Sequence, residues 1–244
     1  MRRVFVWVSL LIIGLTGAAV AQDKLVTDVF QTSAGELKIT FVGHASVFFT
    51  FGGKVIHVDP YSSVGDYTQL PKADVILITH EHGDHFDLKA LNAVRTPETI
   101  VVLTRVCAKE LQDGIILDNG DTTILGGVRI DAIPAYNIVN KRNTGEPYHP
   151  KDVGNGYILT FGDKKVYIAG DTENIPEMKA LKGIDVAFLP MSMPNTMTPE
   201  MVADAAKAFK PKILYSYHLR GTDISKLVDL LKDVKEVEVR IRKM

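Results

Sequence analysis

The chain carries Thr79-His80-Glu81-His82-Gly83-Asp84-His85 directly after a short apolar run, Val75 to Ile78. The apolar run predicts a buried strand, so the polar cluster lies where a strand ends and side chains can converge. Imidazole nitrogens and carboxylate oxygens are the ligands that zinc, manganese and iron prefer. A metal site therefore explains the cluster better than a polar loop with coincidental histidines.

The backbone within this cluster divides its side chains into two pairs. Along an extended segment, His80 and His82 point to the same side. Gly83 then allows the backbone to turn, which aims Asp84 and His85 at a second point. The cluster can therefore supply ligands to two metals rather than one.

The spacing His80-x-His82-x-Asp84-His85 resembles the H-x-H-x-D-H signature of the metallo-β-lactamase superfamily. Gly43-His44-Ala45-Ser46, followed by strands and then Asp59-Pro60, resembles the opening of its lactonase-like and phospholipase-D-like branch. The resemblance covers roughly residues 37–220. It implies an α/β (α+β) fold, the four-layer αββα sandwich, and a hydrolase with two metal ions.

Later strand ends carry the other ligands that the resemblance implies. Gly170-Asp171-Thr172 resembles the motif whose aspartate bridges the two metals, and His218 resembles the last histidine, a ligand of the second metal. By analogy, Asp59 supports the metal loop through hydrogen bonds, or else it is only a turn residue before proline. His44 faces the edge of the site or closes a turn.

One position departs from the family pattern. The family supplies a third histidine to the first metal, and in the lipase-like branch it follows a Pro-Ala-x stretch. Here Pro134-Ala135-Tyr136 is followed by Asn137, which is a poor zinc ligand. A long polar loop follows, and long loops in compact domains are usually functional or mobile. It contains His149, which we expect to take the vacant role. The alternative is an exposed His149 and a first metal held without it.

The predicted metal ligands are His80, His82, Asp84, His85, His149, Asp171 and His218. The metals are expected to be two divalent ions, zinc or else manganese or iron. Such a pair lowers the pKa of water towards neutrality for attack on an ester, lactone or phosphodiester bond. Asp84 is the predicted catalytic residue, because it can bind the second metal and pass a proton to the leaving group. The alternative is a non-catalytic periplasmic metal-binding protein that retains the cage.

Composition limits the class of partner. The 244 residues include 28 basic and 29 acidic side chains, and this balance favours a small-molecule substrate over nucleic acid or an anionic membrane surface. The single cysteine, Cys107, excludes an internal disulfide and is expected to be a small buried side chain.

The N-terminus has the pattern of a secretory signal peptide. Arg2-Arg3 precede an uncharged apolar run that ends in Ala19-Val20-Ala21, a small-x-small cleavage pattern. An uncleaved membrane anchor is the alternative, although about 17 apolar residues is near the short limit for a span. We predict a signal peptide at residues 1–21 and a hydrolase domain at 22–244, periplasmic or secreted, without stable membrane insertion after cleavage. Residues 23–35 are expected to be an exposed lead-in.

Overall fold

The computed structural model describes residues 25–244, so the predicted signal peptide lies outside the described residues. The strands are β1 Thr27–Thr32, β2 Gly35–Gly43, β3 Ser46–Phe51, β4 Lys54–Val58, β5 Val75–Leu77, β6 Ile100–Leu103, β7 Ile115–Ile116, β8 Thr122–Leu125, β9 Val128–Ala135, β10 Gly154–Phe161, β11 Lys164–Ile168, β12 Val186–Pro190, β13 Ile213–Tyr217 and β14 Glu238–Arg240. The α-helices are α1 Leu88–Val94, α2 Pro176–Lys179, α3 Pro199–Phe209 and α4 Ser225–Leu231. Over the described range, none of the helices has the length and apolar character that a membrane span needs.

The strands form two seven-stranded sheets with the same organisation. Their orders are β1-β2-β3-β4-β5-β6-β7 and β14-β13-β12-β11-β10-β9-β8. In the first sheet β1 to β4 pair antiparallel and β4 to β7 pair parallel. In the second, β8 to β11 pair antiparallel and β11 to β14 pair parallel. Each half of the chain therefore ends in parallel strands, whose carboxyl ends can carry functional loops.

The two sheets pack face to face through alternating side chains. Leu37, Ile39 and Phe41 occupy every second position of β2 and point into the space between the sheets, where they are almost fully buried. The ring centroid of Phe41 lies 5.0 Å from that of Tyr215 and 6.0 Å from that of Phe188, both on the second sheet. This interleaving of aromatic rings forms the central core.

Helices cover the outer face of each sheet. The buried side of α1 packs on the first sheet, and those of α2, α3 and α4 pack on the second. Helix α1 begins where the Asp87 carboxylate accepts hydrogen bonds from the backbone of Lys89 and Ala90. Helix α3 begins at Thr198, whose side chain accepts from the backbone of Met201. The predicted four-layer αββα sandwich is confirmed.

Residues 23–35 are expected to be an exposed lead-in, and residues 25–35 are indeed at least partly exposed, but part of this segment is regular structure. Residues 27–32 form β1, which pairs antiparallel with β2. Phe30 packs against the central core, and the Asp28 carboxylate accepts hydrogen bonds from Arg242 near the end of the chain and from Tyr215. A short segment with few apolar residues becomes a strand because distant partners cover it, and local periodicity does not reveal those partners.

Two titratable side chains lie in the core, Cys107 and His57. Cys107 is buried, and burial raises the pKa of its thiol to about 11. His57 on β4 is buried as well, with Nε2 3.0 Å from the carbonyl oxygen of Pro71 and its ring stacked on Phe48. Burial lowers the pKa of His57 from 6.5 to about 4, and the bond to Pro71 only partly offsets this effect.

We expect His57 to make the fold sensitive to mild acid. Its stabilising neutral form is fully present above the unfolded pKa of 6.5, and stability is lost as the pH falls towards the folded pKa of about 4. Through this residue the free energy of unfolding should fall by about 2 kcal/mol between pH 7 and pH 5. His57→Gln should remove that loss in denaturant unfolding, whereas Phe48→Leu, which disturbs the same packing, should keep it. An unchanged pH dependence in His57→Gln would contradict this account.

Candidate metal centre

The predicted ligands meet at one edge of the sandwich, where parallel strands of both sheets end. His80 follows β5, Asp171 follows β11 and His218 follows β13. Two connecting loops add the remaining imidazoles, His44 between β2 and β3 and His149 between β9 and β10. The carboxyl ends of parallel strands are where α/β folds commonly place their ligand sites.

The ligand atoms form two groups of four, and in each group they lie within 4.8 Å of one another. Site 1 consists of His80, His82, His149 and Asp171. Site 2 consists of His44, Asp84, His85 and His218. The H-x-H-x-D-H stretch is thus divided between the two sites, two residues to each.

Asp171 lies between the two sites. Its Oδ2 atom is 3.3 Å from His149 Nε2 in site 1 and 3.4 Å from His218 Nε2 in site 2. Its Oδ1 atom is 3.5 Å from His85 Nε2. One carboxylate therefore faces both groups of imidazoles, as a bridging ligand would.

Site 1 is assembled from three segments of the chain. The structure places His149 in it, with Nε2 3.2 Å from His82 Nδ1, and His149 is only 5% exposed. His80 presents Nε2 at 4.0 Å from the Asp171 carboxylate. The alternative of an exposed His149 does not describe the structure.

Site 2 includes a residue whose position the sequence left open. His44 Nε2 lies 2.9 Å from the Asp84 carboxylate, and His218 Nε2 lies 3.3 Å from the same oxygen. The backbone at His44 adopts a positive φ of 56° after Gly43 at 147°, a tight turn that only glycine accepts readily at its first position. Arg220 also donates a hydrogen bond to Asp84, at 2.6 Å.

The chemistry of these donors fits a pair of divalent metal ions. Among the described residues, His80 Nε2, His85 Nε2 and Asp171 Oδ1 are buried ligand atoms without a hydrogen-bond partner. Buried polar atoms in native proteins are nearly always paired, so three unpaired atoms in one place require an explanation. Mixed imidazole and carboxylate ligands suit zinc, manganese or iron, which would satisfy all three atoms.

The electrostatics keep most of these groups in the protonation state that a metal requires. Burial holds the pKa of His80 well below its ordinary value, and it also lowers the pKa of His82 and His218. These imidazoles are neutral at pH 7 and keep a free lone pair. Burial alone would raise the pKa of Asp171, but His85 and His218 hold it well below the ordinary range. Asp171 is therefore ionised.

His85 behaves differently. Burial would lower its pKa, but the carboxylates of Asp171 and Asp59 outweigh that effect and raise it to about 9. Without a metal, both ring nitrogens of His85 are therefore protonated at neutral pH and the ring is positively charged. A metal ion that binds His85 must displace this proton, so metal affinity should rise with pH.

Groups behind the ligands fix their orientation. Asp59 is fully buried, and its carboxylate accepts hydrogen bonds from the Thr79 backbone at 2.8 Å, from the Thr79 hydroxyl at 2.7 Å and from His85 Nδ1 at 2.8 Å. These bonds confirm that Asp59 supports the metal loop. Ser192 lies 2.9 Å from His218 Nδ1. Ser192 reaches the site from the turn after β12, and no motif in the sequence pointed to it.

Comparison with known proteins agrees with the fold. Residues 38–218 match the family described as the β-lactamase superfamily domain. A UPF0173 metal-dependent hydrolase from Thermococcus onnurineus is 34% identical over 197 residues, which span 75% of this chain and 84% of that protein.

Two solved structures are also similar. One is described as a candidate metal-dependent hydrolase from Parabacteroides distasonis; it is 50% identical with a TM-score of 0.86, and the match covers 91% of this chain and 100% of the other. The second is Igni18, described as a metallo hydrolase from Ignicoccus hospitalis, at 25% identity and a TM-score of 0.71, with 85% and 95% covered. This protein therefore belongs to the β-lactamase superfamily and is one of its metal-dependent hydrolases.

Proposed function

We propose that this protein is an exported hydrolase that uses two divalent metals, zinc or else manganese or iron, to cleave an ester, lactone or phosphodiester bond in a small molecule. The observation that carries the proposal is the position of Asp171. Its buried carboxylate faces two groups of imidazoles at 3.3–3.5 Å. A carboxylate shared between two neighbouring sites is the arrangement that a binuclear centre needs.

The proposed ligands of the first metal are His80, His82, His149 and Asp171, and those of the second are Asp84, His85, His218 and Asp171. When bound, the two metals would supply a water of lowered pKa and stabilise the negative charge that develops during hydrolysis. The protein would contribute a fixed, mostly dry set of donors, since the ligands other than His82 and Asp84 are buried. His44, the remaining member of site 2, lies 2.9 Å from the Asp84 carboxylate and can assist Asp84 without being required as a ligand.

Asp84 is the proposed proton carrier. Burial would raise its pKa, but the hydrogen bonds of His218, His44 and Arg220 hold it below the ordinary range, so the group is ionised. Its carboxylate is 15% exposed and thus reachable by a substrate, whereas the Asp171 carboxylate is enclosed. One oxygen, Oδ2, makes the contacts with all three neighbours. Asp84 is proposed as the proton carrier because it is an ionised, partly exposed carboxylate placed beside site 2, where it can accept a proton from water and pass it to the leaving group.

A groove beside site 2 is the proposed route of the substrate. It encloses about 770 Å³, and His44 and Arg220 are among the residues that line it. Its walls are mainly apolar, with Val42, Val64 and Leu219 among the lining residues. The guanidinium of Arg220 is half exposed, so it can also contact an anionic oxygen of the substrate. These features suit a substrate with an apolar body and a polar group to be hydrolysed.

Export is proposed from the sequence of residues 1–21, which has a basic start, an apolar run and a small-x-small end. A cleaved signal peptide predicts mature protein that begins near Gln22. N-terminal sequencing of protein recovered from the periplasm or the medium of a bacterial host tests this. An intact Met1 on protein that stays with the membrane would contradict it and favour the anchor.

We expect Asp84→Asn to separate the hydrolase from a non-catalytic metal-binding protein. The amide can keep a ligand oxygen but cannot carry the proton, so kcat should fall by roughly 100-fold or more while metal content stays unchanged. The measurement is hydrolysis of an ester, lactone and phosphodiester panel with zinc, manganese or iron supplied. Elemental analysis of each variant accompanies it.

Asp113→Asn is the matched control, because Asp113 is exposed and pairs with Arg95. This variant should keep wild-type activity. A metal-loaded wild type that hydrolyses no member of the panel would contradict the proposed function and favour the metal-binding alternative.

A further inference from the structure

Asn137 occupies the position where the family pattern has a histidine, and its side chain contacts His149 instead of a metal site directly. It is buried and makes four hydrogen bonds. Its Oδ1 accepts from the His149 backbone at 3.0 Å and from His149 Nδ1 at 2.6 Å. Its Nδ2 donates to Glu173 Oε1 at 3.1 Å and to the Asn195 carbonyl at 3.0 Å. The amide therefore connects the His149 ring to Glu173, which follows β11, and to the backbone of Asn195, which follows β12.

These four partners determine the orientation of the amide. Nδ2 faces a carboxylate and a carbonyl, which can only accept, and Oδ1 faces a backbone N–H. A flipped amide would set donor against donor and acceptor against acceptor. His149 Nδ1 must then carry the hydrogen, which leaves the lone pair on Nε2. That atom points into site 1, 3.3 Å from the Asp171 carboxylate.

Glu173 fixes the amide in turn. Its side chain is fully buried, and its carboxylate accepts backbone hydrogen bonds from Ile138 and Val139 at 2.8 Å and from Asn140 at 2.7 Å, besides the bond from Asn137. Four N–H donors thus surround one carboxylate. Glu173 also lies two residues after the strand-end Asp171, so it ties the start of the long loop to the element that carries the shared carboxylate.

We infer that Asn137 and Glu173 are positioning residues that hold His149 in the ring orientation and tautomer needed to bind a metal at site 1. The chain supplies the imidazole from a position 12 residues later and uses the side chain at 137 to hold it. A histidine on a long loop would otherwise sample many positions, and ordering it has an entropic cost. The metal part of this inference rests on the proposed function; the orientation of the ring does not.

The test uses the whole mature protein, residues 22–244, and compares Asn137→Leu and Glu173→Gln with wild type. Leucine has a similar size but accepts no hydrogen bond, and glutamine places an N–H₂ group against backbone N–H donors. Asn140→Leu is the matched control. The Asn140 side chain lies on the same loop and bonds to the Thr196 carbonyl, away from His149.

The first readout is the nitrogen chemical shifts of the His149 ring in metal-free protein, measured by long-range ¹H–¹⁵N NMR. We expect a single Nδ1–H tautomer in wild type and in Asn140→Leu, and a mixture of tautomers in Asn137→Leu and Glu173→Gln. The second readout is the affinity for zinc in competition with a chelator. One of the two sites should weaken by about 10- to 100-fold in both positioning variants, with the other unchanged.

The outcomes separate the inference from the proposed function. His149→Ala should lose one zinc equivalent; if it retains both, the ligand role of His149 and the metal part of the inference are wrong. If His149→Ala loses one but Asn137→Leu and Glu173→Gln keep wild-type affinity and tautomer, the positioning inference alone is overturned. Should Glu173→Gln fail to fold, as judged by circular dichroism, Asn137→Leu decides the question by itself.

Discussion

The candidate site depends on one buried carboxylate. Asp171 lies between two groups of imidazoles that are themselves removed from water, and its charge has no solvent to stabilise it. Burying an ionised group is costly unless charge or hydrogen bonds compensate. In the metal-free protein the compensation comes partly from a protonated His85, whose pKa is raised to about 9. Two metal ions would compensate more completely and would also satisfy the unpaired nitrogens.

This constraint explains the organisation of the surrounding fold. The two sheets end in parallel strands whose carboxyl ends meet at one edge, so rigid elements deliver His80, Asp171 and His218. Buried acceptors behind the site then orient the rings: Asp59 accepts from His85, and Asn137 accepts from His149. Ligands held by such outer partners need little rearrangement when a metal binds. Rigid strands and outer hydrogen bonds together make the site a preorganised one.

Much of this architecture could be predicted from the sequence. The strand before the histidine cluster and the helix after Thr198 follow from local periodicity and capping, and the four-layer sandwich follows from the resemblance. What could not be predicted depends on contacts between distant residues. Strand β1 is stabilised by Arg242 and Tyr215, far along the chain. Asn137 can orient His149 only with Glu173, which follows β11. The four donors to the Glu173 carboxylate come from residues 137–140, in the loop after β9.

The central claim, that one carboxylate serves two metal sites, is tested most directly by the metal content of the mature protein. The protein would be purified without chelators, dialysed against zinc, manganese or iron, and analysed for metal per chain by elemental analysis. The account predicts about two equivalents of a divalent metal, as expected for a binuclear centre. About one equivalent would contradict the shared-carboxylate centre, and no uptake at all would contradict a metal site at this edge of the fold.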